Sequence, residues 1–181
     1  MTYPVFATGD QLPASDLNAI GLWLVKTQTV GTGVTSVTVT GAFSSTYDNY
    51  KIVYTNGAGS AIALLYCYMG NAIGTGYYAT RLSASIGGVA NSTGDNNTTV
   101  WQFFNAINTN NATTSFELFQ PYLAKHTFVA GDYFEANGAS STFGRYVGYL
   151  ANTTQYTSFT LQAQSPHTFS GGTIRVYGYR N

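Results

Sequence analysis

The run VTSVTVT at residues 34–40 alternates without a break from Ser36 onward, with Val37 and Val39 on one side and Thr38 and Thr40 on the other. Successive Cβ atoms of a strand point to opposite faces, so this pattern predicts a strand with one buried face. Apolar and β-branched runs of similar length recur on both sides of it. LWLVKTQTV (22–30) precedes it; NYKIVYT (49–55), AIALLYCYM (61–69), YYATRLSASI (77–86) and VWQFFNAI (100–107) follow. SFELFQPYL (115–123), HTFVAGDYFEA (126–136), TFGRYVGYLA (142–151), YTSFTLQAQ (156–164) and GTIRVYGYR (172–180) complete the series. About eleven strands at this spacing, separated by Gly- and Asn-rich connectors, predict an all-β fold. Their length favours an antiparallel β-sandwich, jelly-roll-like. No helical period recurs between them, which disfavours a parallel α/β fold. Two connectors, GNAIGTG (70–76) and GGVANSTGDNNTT (87–99), are longer than a hairpin needs. They are expected as loops, the second projecting from one end of the sandwich, and loops are where function concentrates.

One stretch departs from this pattern. FATGDQLPASDLNAIG (6–21) predicts a short helix: Pro13 suits the first turn, Asp16 the positive end of the dipole, and Gly21 the position just past the end. Leu17, Ile20 and Leu24 fall on one apolar stripe, with Leu12 before them. Two turns are unstable alone, so the stripe must pack on the sandwich or on a neighbouring copy. The chain is therefore divided into an N-terminal attachment segment, 1–24, and a β-sandwich domain, 25–181. Leu12, Leu17, Ile20 and Leu24 are the expected assembly residues.

Composition narrows the function. Charged residues make up 8 % of the 181, seven basic against seven acidic, where a soluble protein typically carries roughly 25 %. So few cations cannot neutralise many phosphates or bind an anionic membrane surface, which argues against nucleic-acid and lipid partners. A surface this poor in charge also repels its own copies weakly, which suits a protein built into an assembly. The single cysteine, Cys67, excludes an intrachain disulfide and reads as a small core residue. No apolar run reaches the roughly 18 residues of a membrane span. The first residues lack a basic and apolar leader, so synthesis and use in a bacterial-type cytoplasm without processing is the expectation.

No catalytic constellation stands out. The acids Asp10, Asp16, Asp48, Asp95, Glu117, Asp132 and Glu135 show no motif spacing. His126, Asp132 and Glu135 offer three hard metal ligands close in sequence, but the signal is weak and a solvated loop is the preferred reading. The phosphate-, zinc- and serine-hydrolase motifs are absent. The expectation is a protein that is not an enzyme, with no cofactor and no metal. Aromatic residues are abundant: 15 Tyr, 11 Phe and two Trp. Tyr77, Tyr78 and Trp101 flank the two long loops and, with Asn96 and Asn97 on the second, are the candidate carbohydrate contacts, where rings would stack on sugar faces. Packing in the core or between subunits is the preferred reading of the same rings.

Three further stretches carry a resemblance. FATGDQLPASDLNAI, the run TQTVGTGVTSVTVTGAFSSTYDNYKIVY and the terminal SGGTIRVYGYRN resemble segments of bacteriophage virion proteins, especially small tail-fibre and appendage proteins. The resemblance covers both ends and the first third of the chain; Pro13 stands where the family pattern has Thr or Ala. It implies a homotrimeric, non-enzymatic virion protein that docks to other virion proteins through its N-terminal segment and turns loops toward host surface polysaccharide. A capsid decoration or cement protein is the structural alternative. A carbohydrate-binding or carbohydrate-active protein is the alternative from a different class. The expected location is the virion, assembled in the bacterial host cytoplasm, without membrane insertion.

Overall fold

A computed structural model describes residues 21–71, 73–135 and 141–179. Among these the chain is all-β and antiparallel. Its strands are β1 (Leu22–Thr29), β2 (Ser36–Val39), β3 (Asn49–Gly59), β4 (Ala63–Met69), β5 (Tyr77–Ser85), β6 (Ala90–Thr98) and β7 (Trp101–Asn108). They continue as β8 (Asn111–Phe119), β9 (Thr127–Glu135), β10 (Thr142–Leu150), β11 (Phe159–Ala163), β12 (Phe169–Ser170) and β13 (Thr173–Tyr179). The expected N-terminal helix, with Leu12, Leu17 and Ile20, lies outside the described residues. Leu24 does not belong to a helix stripe: it is in β1, opposite Tyr177 of β13. β1 starts at Leu22, two residues before the expected end of the attachment segment, because the β13 ladder satisfies its backbone groups from that point.

Hydrogen bonding joins the strands into two branches. One runs β2-β11-β4-β7. The other runs β6-β5-β10-β9-β8 and continues through β3 and β13 to β1. The two meet at the β7–β8 hairpin, where only Ile107↔Ala112 and Asn108↔Asn111 pair. The Asn108 side chain closes that turn by accepting from the amides of Asn110 and Asn111 at 2.8 and 2.9 Å. β3 carries a bulge between Tyr54 and Gly57, where Asn56 adopts φ 61°. Beyond the bulge Gly57 still pairs with Ala112 of β8, and the last residues of β3 pair with β12, where Phe169 faces Gly59.

The core lies between the inner faces of the two branches. Alternation is clean in β3, where Tyr50, Ile52 and Tyr54 are buried, and in β8, where Ala112, Thr114, Phe116 and Leu118 are buried. Phe103 of β7 packs against Phe116 and Tyr146, with ring centroids 4.8 and 4.4 Å apart, and so ties one branch to the other. Phe159 of β11 meets Phe43 at 5.7 Å and Phe116 at 6.3 Å. Gly131 leaves room for this packing: a Cβ there would lie 2.7 Å from both the Tyr146 hydroxyl and Phe116. Cys67 is fully buried, and burial pushes its thiol pKa far up, which leaves it protonated and unreactive.

Two segments expected as connectors are strands. Residues 87–99, expected as a projecting loop, contain β6, paired with β5 from Ala84↔Ala90 to Tyr77↔Thr98. The sequence ANSTGDNNT shows no apolar alternation because β6 is an edge strand: the ladder to β5 holds it, and its side chains mostly face solvent. The short β12 likewise falls within SPHTFSGG.

Candidate functional site

The strands divide the candidate contact residues into two groups. Tyr77 begins β5 pointing inward, buried, with its ring edge-on to Trp101 at 5.0 Å. Its hydroxyl accepts a hydrogen bond from the Met69 amide at 2.8 Å. Trp101 is wholly buried at the start of β7. Neither can touch a host surface; their place beside long polar segments put them at the wrong end of the exposure scale, since flanking a loop does not fix the face a strand residue takes. Tyr78, one residue on, points outward. Asn96 and Asn97 are exposed on the β6 edge, Asn97 with φ 56°.

Below Asn96 sits the one buried ion pair among the described residues. Arg81 Nη2 donates to Asp95 Oδ1 at 2.9 Å, and Arg81 Nη1 donates to the Gln102 carbonyl of β7 at 3.0 Å. Burial raises the Asp95 pKa, while the Arg81 charge and the Gln102 backbone amide oppose that rise. The pair therefore clamps β5 and β6 to the other branch. Buried carboxylate and guanidinium must stay together, because either alone would be an uncompensated charge.

The outer face of β5, β10 and β9 was not legible as a site. Direct partners across three strands place Phe134, Phe143 and Ala84 in one row, then Asp132, Arg145 and Leu82, then Ala130, Val147 and Thr80, then Phe128, Tyr149 and Tyr78. Leu82, Phe128, Phe134, Phe143 and Val147 are between 43 and 63 % exposed. Tyr149 stacks on Tyr78 at 5.0 Å with an interplanar angle of 11°, and on the His126 ring at 5.7 Å. Tyr78, Phe128, Tyr149 and Val147 line a trough of about 400 Å³, completed by Ala79, Thr80, Asp95 and Gly148. The signal for it was the presence of apolar residues at both parities of TFGRYVGYL: Tyr146 and Leu150 inward, Phe143, Val147 and Tyr149 outward.

Toward β8 and β3 the same face becomes charged. Lys51, Glu117, Asp132 and Arg145 line a second trough, of about 220 Å³. The Tyr179 hydroxyl donates to Glu117; burial, and then this carboxylate, push its pKa up to about 12. The three residues read as metal ligands do not sit on a turn. Asp132 is in mid-strand, facing Arg145 at 3.8 Å, and six residues of extended chain set it about 20 Å from His126. No group of three metal-ligating side chains occurs among the described residues. A third cavity, near Gly70 and Tyr156, and a fourth, at Pro166 and His167, hold no convergent set of titratable groups.

The described surface is thus organised around exposed apolar strands, with Leu22, Trp23 and Leu24 forming a further apolar edge on β1. No helix among the described residues is long and apolar enough to cross a membrane. No protein-family model matches the chain, and neither does any curated protein or solved structure.

Proposed function

We propose that this chain is a structural protein of a bacteriophage virion, a tail-fibre or appendage module that works as a homotrimer without catalysing a reaction. In this reading the two branches are the layers of a jelly-roll-like sandwich. The N-terminal segment is the attachment element, and the opposite surface, including Tyr78, Asn96 and Asn97, is turned toward host polysaccharide.

The observation that carries the reading is the edge strand β1. Leu22, Trp23 and Leu24 are all exposed on it, Leu24 at 56 %, immediately after the segment that resembles phage attachment sequences. An edge strand with unpaired backbone groups and bare apolar side chains is a template for association, which monomeric proteins ordinarily blunt with charge. Here Lys26 is the only charge on the strand. The sparse charge of the whole chain supports the same reading.

Locating the protein within purified virions by electron microscopy tests it. Density at the tail, at three copies per fibre or appendage, is the expected result. High-copy density on the head would replace it with the decoration reading. Cleavage of host polysaccharide by the purified chain, lost when one carboxylate is changed to its amide, would overturn the non-enzymatic reading.

A further inference from the structure

We infer that the outer face of β5, β10 and β9 is where a second copy of this chain docks. The inference rests on the self-association in the proposed function, but it places the contact on the sheet rather than on the N-terminal segment alone, and it takes Tyr78, which stands on this face, out of the host-facing set.

Three features of the face point to one occupant. First, β10 is apolar on both sides, Tyr146 and Leu150 into the core, Phe143 and Val147 outward. Antiparallel strands with one wet face alternate apolar and polar; strands apolar on both faces are covered on both. Secondly, the charge on the apolar rows is self-complementary. Arg145 and Asp132 sit side by side at 3.8 Å, both more than half exposed, one cation and one anion amid apolar neighbours. A partner of single charge sign would gain from one and be repelled by the other. A second copy of the same face brings an anion for the cation and a cation for the anion. Thirdly, the size is right. Nine-residue strands give a length of about 30 Å, and the three strands β5, β10 and β9 a width of about 14 Å, an apolar centre of about 400 Å²; the polar β6 and the charged β8 on either side extend the face to about 700 Å². That approaches the ~800 Å² that each partner contributes to a standard stable interface. An apolar patch of this size is often an interaction site.

The test uses the 181-residue chain and two kinds of variant, with mass read by analytical ultracentrifugation and fold by circular dichroism. Leu82→Glu with Val147→Glu puts carboxylates on exposed positions and is expected to reduce the assembly to single chains of 19.4 kDa with an unchanged spectrum. Arg145→Asp alone makes the face doubly acidic, and Asp132→Arg alone makes it doubly basic. Each is expected to weaken association at least tenfold, and an equimolar mixture of the two to restore it. Restoration on mixing needs the two faces to meet and follows from no intrachain role. A double-Glu variant that keeps the wild-type mass would overturn the inference while leaving self-association standing. A wild-type chain found only at 19.4 kDa would overturn both. A single-chain wild type whose binding to host polysaccharide is lost in the double-Glu variant would overturn the inference in favour of a saccharide contact.

Discussion

The two faces of β10 make the informative comparison. Tyr146 and Val147 are neighbours in sequence and similar in apolar character, yet one is buried under Phe103 and the other is 43 % exposed. Inward residues meet the second branch at ring-contact distance; outward residues meet only their own neighbours on the sheet. Apolarity alone therefore does not locate the core of this protein. The core is where side chains of the other branch are present to receive the inward residues, and the outer face is rich in apolar residues without that cover.

Substitution should separate the two faces. Phe103→Ala removes the ring that joins the branches and should cost about 4 kcal/mol of unfolding free energy, read from denaturant titration. A cost below that of an exposed substitution would mean that the branches do not share this core. Asp95→Asn should cost about 3 kcal/mol, because Arg81 is left buried without its counter-charge. Asp95→Asn combined with Arg81→Met should recover part of the loss, a coupling that a double-mutant cycle measures.

Alkaline pH probes the inner face more gently. Burial holds Tyr54 protonated up to about 12, above the ordinary 10.0, and raises Tyr50, Tyr77 and Tyr146 as well. A phenol whose folded pKa exceeds its unfolded value binds protons more tightly when folded. Its contribution is intact below pH 10 and is lost as pH rises through the folded value. Thermal melts should therefore be flat in their tyrosine-dependent part below pH 10 and fall steeply toward pH 12, and Tyr54→Phe should shallow that fall. Equal slopes for the two proteins would remove Tyr54 from the explanation.

The smallest effect belongs to the outer face. Phe134→Ser, measured on chains held apart by the Leu82→Glu and Val147→Glu substitutions, should change stability by no more than about 0.5 kcal/mol. The same substitution in the assembled protein should cost more. Equal costs in both backgrounds would mean that the outer face is as bare in the assembly as in the single chain.

Particular residues show why some of this was readable in the chain. The strict alternation from Ser36 to Thr40, and the looser apolar runs NYKIVYT and GTIRVYGYR, reflect the two-residue period of a strand with one buried face, and β2, β3 and β13 occupy those stretches. β6 carries no such alternation: both its faces are largely solvated, and only its ladder to β5 makes it a strand. Tyr77 and Tyr78 could not be told apart from a run of two tyrosines, since opposite faces become inside and outside only when the layers are stacked. Arg81 and Asp95, fourteen residues apart, become an ion pair because β5 and β6 fold back in register.

By itself, then, the sequence determined that this protein is built of antiparallel strands and carries little charge; local periodicity and composition are properties of the chain. Only the tertiary structure decided which face of each strand is core, that residues 87–99 form an edge strand, and that Phe143, Val147 and Leu82 gather on one open surface. Those outcomes depend on register between strands distant in sequence, and register is set by the packing of the whole sheet rather than by any one segment of it.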